Sequence, residues 1–169
     1  MINTYYIADL HFNHSAMITK YGAPYRVVGD ESMELEDRKK LHNEWIIDSI
    51  NSVVYKKDNL WILGDIAFGH EGIKLLGDIV CGNINIVLGN HDQYPFNLYY
   101  PYCKKIVSLK RHKEFWLSHA PMHPQELRGK KNIHGHVHAA TIPDDRYINV
   151  SVEALNAVPI SLQQIRERV

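Results

Sequence analysis

Two short apolar runs in the middle of the chain, Leu60-Trp61-Ile62-Leu63 and Ile84-Asn85-Ile86-Val87-Leu88, each close on a glycine followed by a polar side chain, Gly64-Asp65 and Gly89-Asn90. Runs this short, rich in Ile, Leu and Val and ended by a turn residue, predict strands buried on both faces of a parallel sheet. Thr4-Tyr5-Tyr6-Ile7-Ala8 predicts a first strand, with Asp9-Leu10-His11 continuing it in extended form. Phe12 to Tyr21 predicts a short helix closed by Gly22, and Met33 to Val54 the main helix, with Ser32 as N-cap and Leu35, Leu41, Trp45, Ile46 and Ile50 near helical spacing. A helix weakened by Gly77 follows over Glu71 to Val80.

Beyond Asn90 the pattern shortens. Tyr94 to Tyr102, aromatic and broken by Pro95 and Pro101, reads as irregular surface, a candidate substrate rim or dimer contact. Lys105 to Leu109 and Lys113 to Leu117 predict a hairpin turning at Lys110-Arg111-His112, and Pro121 stops its second strand. Pro124 to Leu127 predicts one helical turn. Asn132-Ile133-His134 and Arg146 to Val152 predict strands, and Leu162 to Arg168 a final helix. No linker or repeat interrupts the chain, so residues 1–169 read as a single α/β domain.

Composition narrows the function. Nineteen basic residues balance 19 acidic ones, which disfavours a broad basic face for nucleic acid but leaves a small anionic substrate open. Cys81 and Cys103 are too few for a disulfide framework, no signal peptide is visible, and no apolar run nears the roughly 18 residues of a membrane span. A cytoplasmic location is the expectation. Histidine is abundant, 11 in 169 residues.

Those histidines fall where ligands are useful. In open α/β sheets the reactive crevice lies beyond the carboxyl ends of the strands. Asp9 and His11 project to one side of an extended chain, and His136 and His138 repeat the spacing. With Asp65, Asn90 and His119 they make seven oxygen and nitrogen ligands. That number, with Asp65 shared, fits two ions about 3.5–4 Å apart. Imidazole mixed with carboxylate and amide oxygen suits manganese first, then iron, zinc or nickel. His91 alternates away from Asn90 and is assigned to the leaving-group side, with Asp92 to orient it.

The ordered set Asp9-x-His11, Gly64-Asp65, Gly89-Asn90-His91-Asp92, His119 and Gly135-His136-x-His138 resembles the motifs of the calcineurin-like metallophosphoesterases. Asp9-Leu10-His11-Phe12-Asn13-His14, Pro24-Tyr25-Arg26 and Leu63-Gly64-Asp65-Ile66-Ala67-Phe68-Gly69 resemble the small stand-alone members from bacteria and phages. The resemblance implies a four-layer αββα sandwich of two mixed sheets flanked by helices. It implies one metal held by Asp9, His11, Asp65 and His138, and a second by Asp65, Asn90, His119 and His136. His91 becomes the catalytic histidine, with His14 and Arg26 lining the substrate.

The expected activity is hydrolysis of a phosphate ester by a metal-bridging hydroxide, on a diester or nucleotide-type substrate, since no length is spare for a cap domain. Competing expectations are a phosphomonoesterase, a nuclease, or a non-catalytic scaffold of the same fold. The expected partner is a small phosphorylated or nucleotide substrate; a membrane is not expected, nucleic acid is possible but not favoured, and the oligomeric state is left open.

Overall fold

The computed structural model describes residues 2–168. Nine strands form two mixed sheets among these residues. β1 (Thr4–Ile7), β2 (Asn59–Leu63), β3 (Asn83–Val87) and β4 (Lys105–Val107) are mutually parallel, and β9 (Ile160–Ser161) closes that sheet antiparallel to β1. In the second sheet β5 (Lys110–His112) and β6 (Phe115–Leu117) form an antiparallel pair. β7 (Lys131–His134) and β8 (Tyr147–Asn149) extend it in parallel. Four α-helices complete the fold: α1 (Leu35–Asn51), α2 (Gly69–Lys74), α3 (Val152–Leu155) and α4 (Leu162–Arg168).

The apolar runs of β2 and β3 are continuous because both faces of their sheet are covered. Side chains alternate across a strand. Leu60, Ile62, Ile84 and Ile86 therefore pack with Ile46, Ile47 and Ile50 of α1 in one core. Trp61, Leu63 and Val87 point the other way, into a second core with Phe115, Leu117 and Ile133 of the second sheet and Leu162 and Ile165 of α4. No helix among the described residues is long and apolar enough to cross a membrane.

Several local expectations change. The main helix is shorter than Met33–Val54 and its N-cap is Glu34, not Ser32. Ser32 instead donates from its backbone N–H and its hydroxyl to Asp30 Oδ1, at 2.8 and 2.6 Å, closing a turn ahead of the helix. Phe12–Tyr21 is helical only from Ser15, with π-type turns over Met17–Tyr21. The segment after α2 tightens into a 3₁₀ turn, Leu75–Asp78.

The expected hairpin is displaced. Lys105–Val107 pairs with β3 in the first sheet, and the turn falls at Lys113-Glu114, where Lys113 is left-handed at φ 56°. Tyr94–Tyr102 is anchored rather than free: Tyr99 is fully buried, and the Tyr94 hydroxyl accepts from Gly69 N–H at 2.7 Å.

Candidate metal centre

β1, β2 and β3 run parallel, so the loops leaving them emerge at one end of the sheet. The loops after β1 and β2 are zipped together by backbone hydrogen bonds. Asp9 N–H donates to Gly64 O at 3.0 Å, His11 N–H to Asp65 O at 3.0 Å and Phe12 N–H to Ile66 O at 2.9 Å. Asp92 fastens the third loop to the second. Its carboxylate accepts from the N–H groups of Asp65 (2.8 Å), Ile66 (2.9 Å) and Gly89 (2.8 Å). The Asp92 side chain is thus a buried backbone clamp and does not orient His91, a correction to its catalytic assignment.

The ligand pairs do not use extended chain. β1 stops at Ile7, and Asp9 and His11 are left-handed at φ 60° and 52°; Asp65, His136 and His138 are also left-handed, at 52°, 70° and 51°. Non-glycine residues rarely adopt this conformation, and when they gather at one place the surroundings must enforce it. Glycine permits the crowding. At Gly64, φ 87°, a Cβ would lie 2.6 Å from Gly89 N; at Gly135 it would strike Ala8 Cβ and the Asp9 carboxylate.

All seven expected ligands converge. Oδ2 of Asp65 lies 3.7 Å from His11 Nε2 and 3.4 Å from His119 Nε2, while its Oδ1 accepts from His91 N–H at 2.9 Å. His11 Nε2 is 3.9 Å from Asp9 Oδ1. Asn90 Oδ1 stands 3.0 Å from both His119 Nε2 and His136 Nδ1. Ligand atoms of Asp9, His11 and His138 lie within 4.8 Å of one another, as do those of Asp9, Asp65 and His119. Both carboxylates are therefore central, whereas sharing was expected of Asp65 alone.

The donor chemistry fits cations. Asp9 Oδ1 and His11 Nε2 are buried with no hydrogen-bond partner, an arrangement costing on the order of 1–3 kcal/mol per group unless something pairs with them. His119 Nδ1 is committed to Leu63 O at 2.8 Å, so Nε2, 3.0 Å from Asn90 Oδ1 and 3.4 Å from Asp65 Oδ2, is the ring nitrogen that faces the cluster. Burial opposes charge on His119, but hydrogen bonding to Asp65 and the charges of Asp9 and Asp65 raise its pKa above the ordinary value. Burial raises Asp9, and burial reinforced by Arg26 lowers His11 to about 2. Asp65 is lowered to about 2: burial works against this, but hydrogen bonds from His119 and from His91 N–H outweigh it. These donor groups fit divalent cations.

His91 sits at the mouth, its ring exposed and Nε2 3.9 Å from Asp65 Oδ2. His14 stacks flat on Phe68, ring centroids 3.7 Å apart, and its Nδ1 faces His11 Nδ1 at 3.1 Å. Arg26 is not at the substrate surface as expected. Its guanidinium is buried and donates to Asp9 O (2.6 Å), Leu10 O (3.0 Å), His42 Nε2 (3.2 Å) and Glu153 Oε1 (2.7 Å). With these contacts it braces the loop carrying Asp9 and His11, which leaves it no face for a phosphate.

Glu153, His42 and Asn43 were missed. Glu153 Oε1 also accepts from His138 Nδ1–H at 2.9 Å, which leaves Nε2 as the free ring nitrogen of His138. Burial works against the Glu153 charge, but His138 and Arg26 hold its pKa near 2. Asn43 reaches from α1 to bond the loop residue Asn13 twice. The readable signal was polarity out of place: a carboxylate in Val150-Ser151-Val152-Glu153-Ala154-Leu155, and His42-Asn43 on the face of α1 that carries Ile46, Ile47 and Ile50.

No protein-family model matches the chain. The uncharacterized protein MJ1445 of Methanocaldococcus jannaschii is 31% identical to it, over 98% of this chain and 90% of that protein. The chain belongs to the MJ1445 family. Coverage that complete takes in the whole stretch from Asp9 to Glu153, so the candidate centre lies inside what is aligned with MJ1445. The Gene 66 protein of Mycobacterium phage L5 is 29% identical over 91% of this chain and 88% of that protein. A protein of unknown function from Aquifex aeolicus, AQ665, has a crystal structure that superposes with a TM-score of 0.74, at 22% identity over 100% of both chains. That likeness establishes a shared fold.

Proposed function

We propose that this chain is a dinuclear metal-dependent phosphoric ester hydrolase, acting on a phosphodiester or nucleotide-type substrate. Its two mixed sheets, with α1 over the outer face of the first, are read as the four-layer αββα sandwich of the calcineurin-like metallophosphoesterases. The observation that carries the reading is the carboxylate oxygen of Asp65 set between His11 and His119, at 3.7 and 3.4 Å, in a cluster holding unpartnered buried ligand atoms.

Asp9, His11, Asp65 and His138 would hold one ion and Asp65, Asn90, His119 and His136 the other, with manganese preferred and iron, zinc or nickel acceptable. Bound divalent ions supply the Lewis acidity that activates water for attack on phosphorus. His91 works from the rim, placing an imidazole where a departing ester oxygen leaves for solvent and giving it a proton. The left-handed ligand loops, cross-linked by Arg26 and Asp92, keep these groups in place before substrate arrives. Unpaired Cys81 and Cys103 support a cytoplasmic location.

The test is turnover of bis-p-nitrophenyl phosphate against p-nitrophenyl phosphate by metal-stripped protein to which manganese is restored. Manganese-dependent hydrolysis with the diester preferred is expected. A preference for the monoester would reassign it as a phosphomonoesterase, and turnover of neither would overturn the hydrolase reading.

A further inference from the structure

A cavity of about 530 Å³ opens beside the candidate centre, and its lining includes His11, His91 and Glu153 together with Met17, Tyr21 and Tyr25. We propose that it holds a subsite for a flat, uncharged aromatic group esterified to phosphate, with Tyr21 and Tyr25 as the specificity-determining residues. The proposal rests on the phosphoesterase reading and adds the substrate class.

Three features of the cavity define that occupant. The first is its walls: Met17 is buried, while Tyr21 and Tyr25 keep 57% and 51% of their surfaces exposed. Large aromatic side chains half in water beside a buried thioether offer surface that an aromatic guest would cover. The second is charge. No lysine or arginine lines the cavity, the Lys20 ammonium lies 4.9 Å from the centroid of the Tyr21 ring, and the carboxylate there, Glu153, is already paired with Arg26 and His138. Lys20 thereby takes one face of Tyr21, and a neutral ring can cover what remains without leaving a charge unpaired.

The third is attachment. Gly22 O accepts from Tyr25 N–H at 2.9 Å and from Arg26 N–H at 2.8 Å. Arg26 in turn holds Asp9 O and Leu10 O. The turn bearing both tyrosines is thereby fastened to the loop that carries Asp9 and His11. Backbone bonds and Arg26 thus tie the turn that carries the tyrosines to the loop that carries the ligands, and both line the same cavity.

Binding of phenylphosphonate and methylphosphonate to the manganese-loaded full chain tests the subsite without turnover. Phenylphosphonate is expected to bind about tenfold more tightly, the scale of a single aromatic stacking contact. Replacing both rings, Tyr21→Ala with Tyr25→Ala, is expected to erase that difference and leave methylphosphonate affinity unchanged. The Tyr21→Phe and Tyr25→Phe pair retains it, because the ring and not the hydroxyl is used. Equal affinity for the two phosphonates in the native chain, or a preference that survives the alanine pair, would overturn the subsite alone. Failure of the manganese-loaded chain to bind either phosphonate would overturn the phosphoester reading, and the subsite with it.

Discussion

At Asp65 the side chain and the backbone do separate work. The carboxylate reaches histidines on both sides of the cluster, while the N–H is held by Asp92. Asp92→Ala leaves two buried N–H groups and a half-buried one unanswered, and should lower stability of the metal-free chain by on the order of 3 kcal/mol in urea unfolding. A change within error would show that these bonds are dispensable. His91 makes no hydrogen bond through its ring, so His91→Ala should cut turnover at least about 100-fold while manganese content stays at the native level; full activity would remove His91 from the chemistry.

His42 gives a pH signature. Burial, followed by the neighbouring Arg26 charge, brings its pKa from 6.5 down to about 3. The unfolded chain therefore takes up a proton in that interval that the folded one refuses, and stability contributed by neutral His42 is lost as pH falls through it. His42→Gln keeps an acceptor for Arg26 and removes the titration. Its unfolding midpoint should decline less steeply than that of the native chain between about pH 6.5 and 3; parallel declines would contradict the assignment.

At the scale of elements, what was legible followed the apolar pattern. β2, β3 and α1 were visible because long buried runs and a 3.6-residue stripe have few alternatives. The seven converging side chains were visible because five separate motifs each placed one or two of them after an expected strand end or turn. Shorter pieces were not. β9 is two residues long and owes its place to pairing with β1. In the sequence β5 reads as a turn, because Lys110-Arg111-His112 is too polar for a strand, and only its pairing with β6 makes it one.

The left-handed ligands were invisible for a different reason. An Asp or His at positive φ is locally unfavourable, and neighbouring loops impose it. Gly64 is one of the positions that makes this possible. Gly64→Ala, forced to φ 87° with its Cβ against Gly89, should cost more than about 1 kcal/mol by urea unfolding. Unchanged stability would mean the loops relax freely.

Over the whole molecule, two sheets share one core and present their loops to one crevice. Residues from the first strand (Asp9), the middle strands (Asp65, Asn90) and the second sheet (His119, His136, His138) meet there. Ions held at that meeting point would couple the two sheets. Manganese at about 100 times its dissociation constant should add roughly 2.7 kcal/mol for each ion held, raising Tm by about 5–10 °C per ion. The central claim is that two cations share the Asp65 carboxylate, and manganese content after equilibrium dialysis tests it most directly. The native chain should hold about two ions, and Asp65→Ala fewer than one. A native chain holding none, or an Asp65→Ala chain still holding two, would contradict the account.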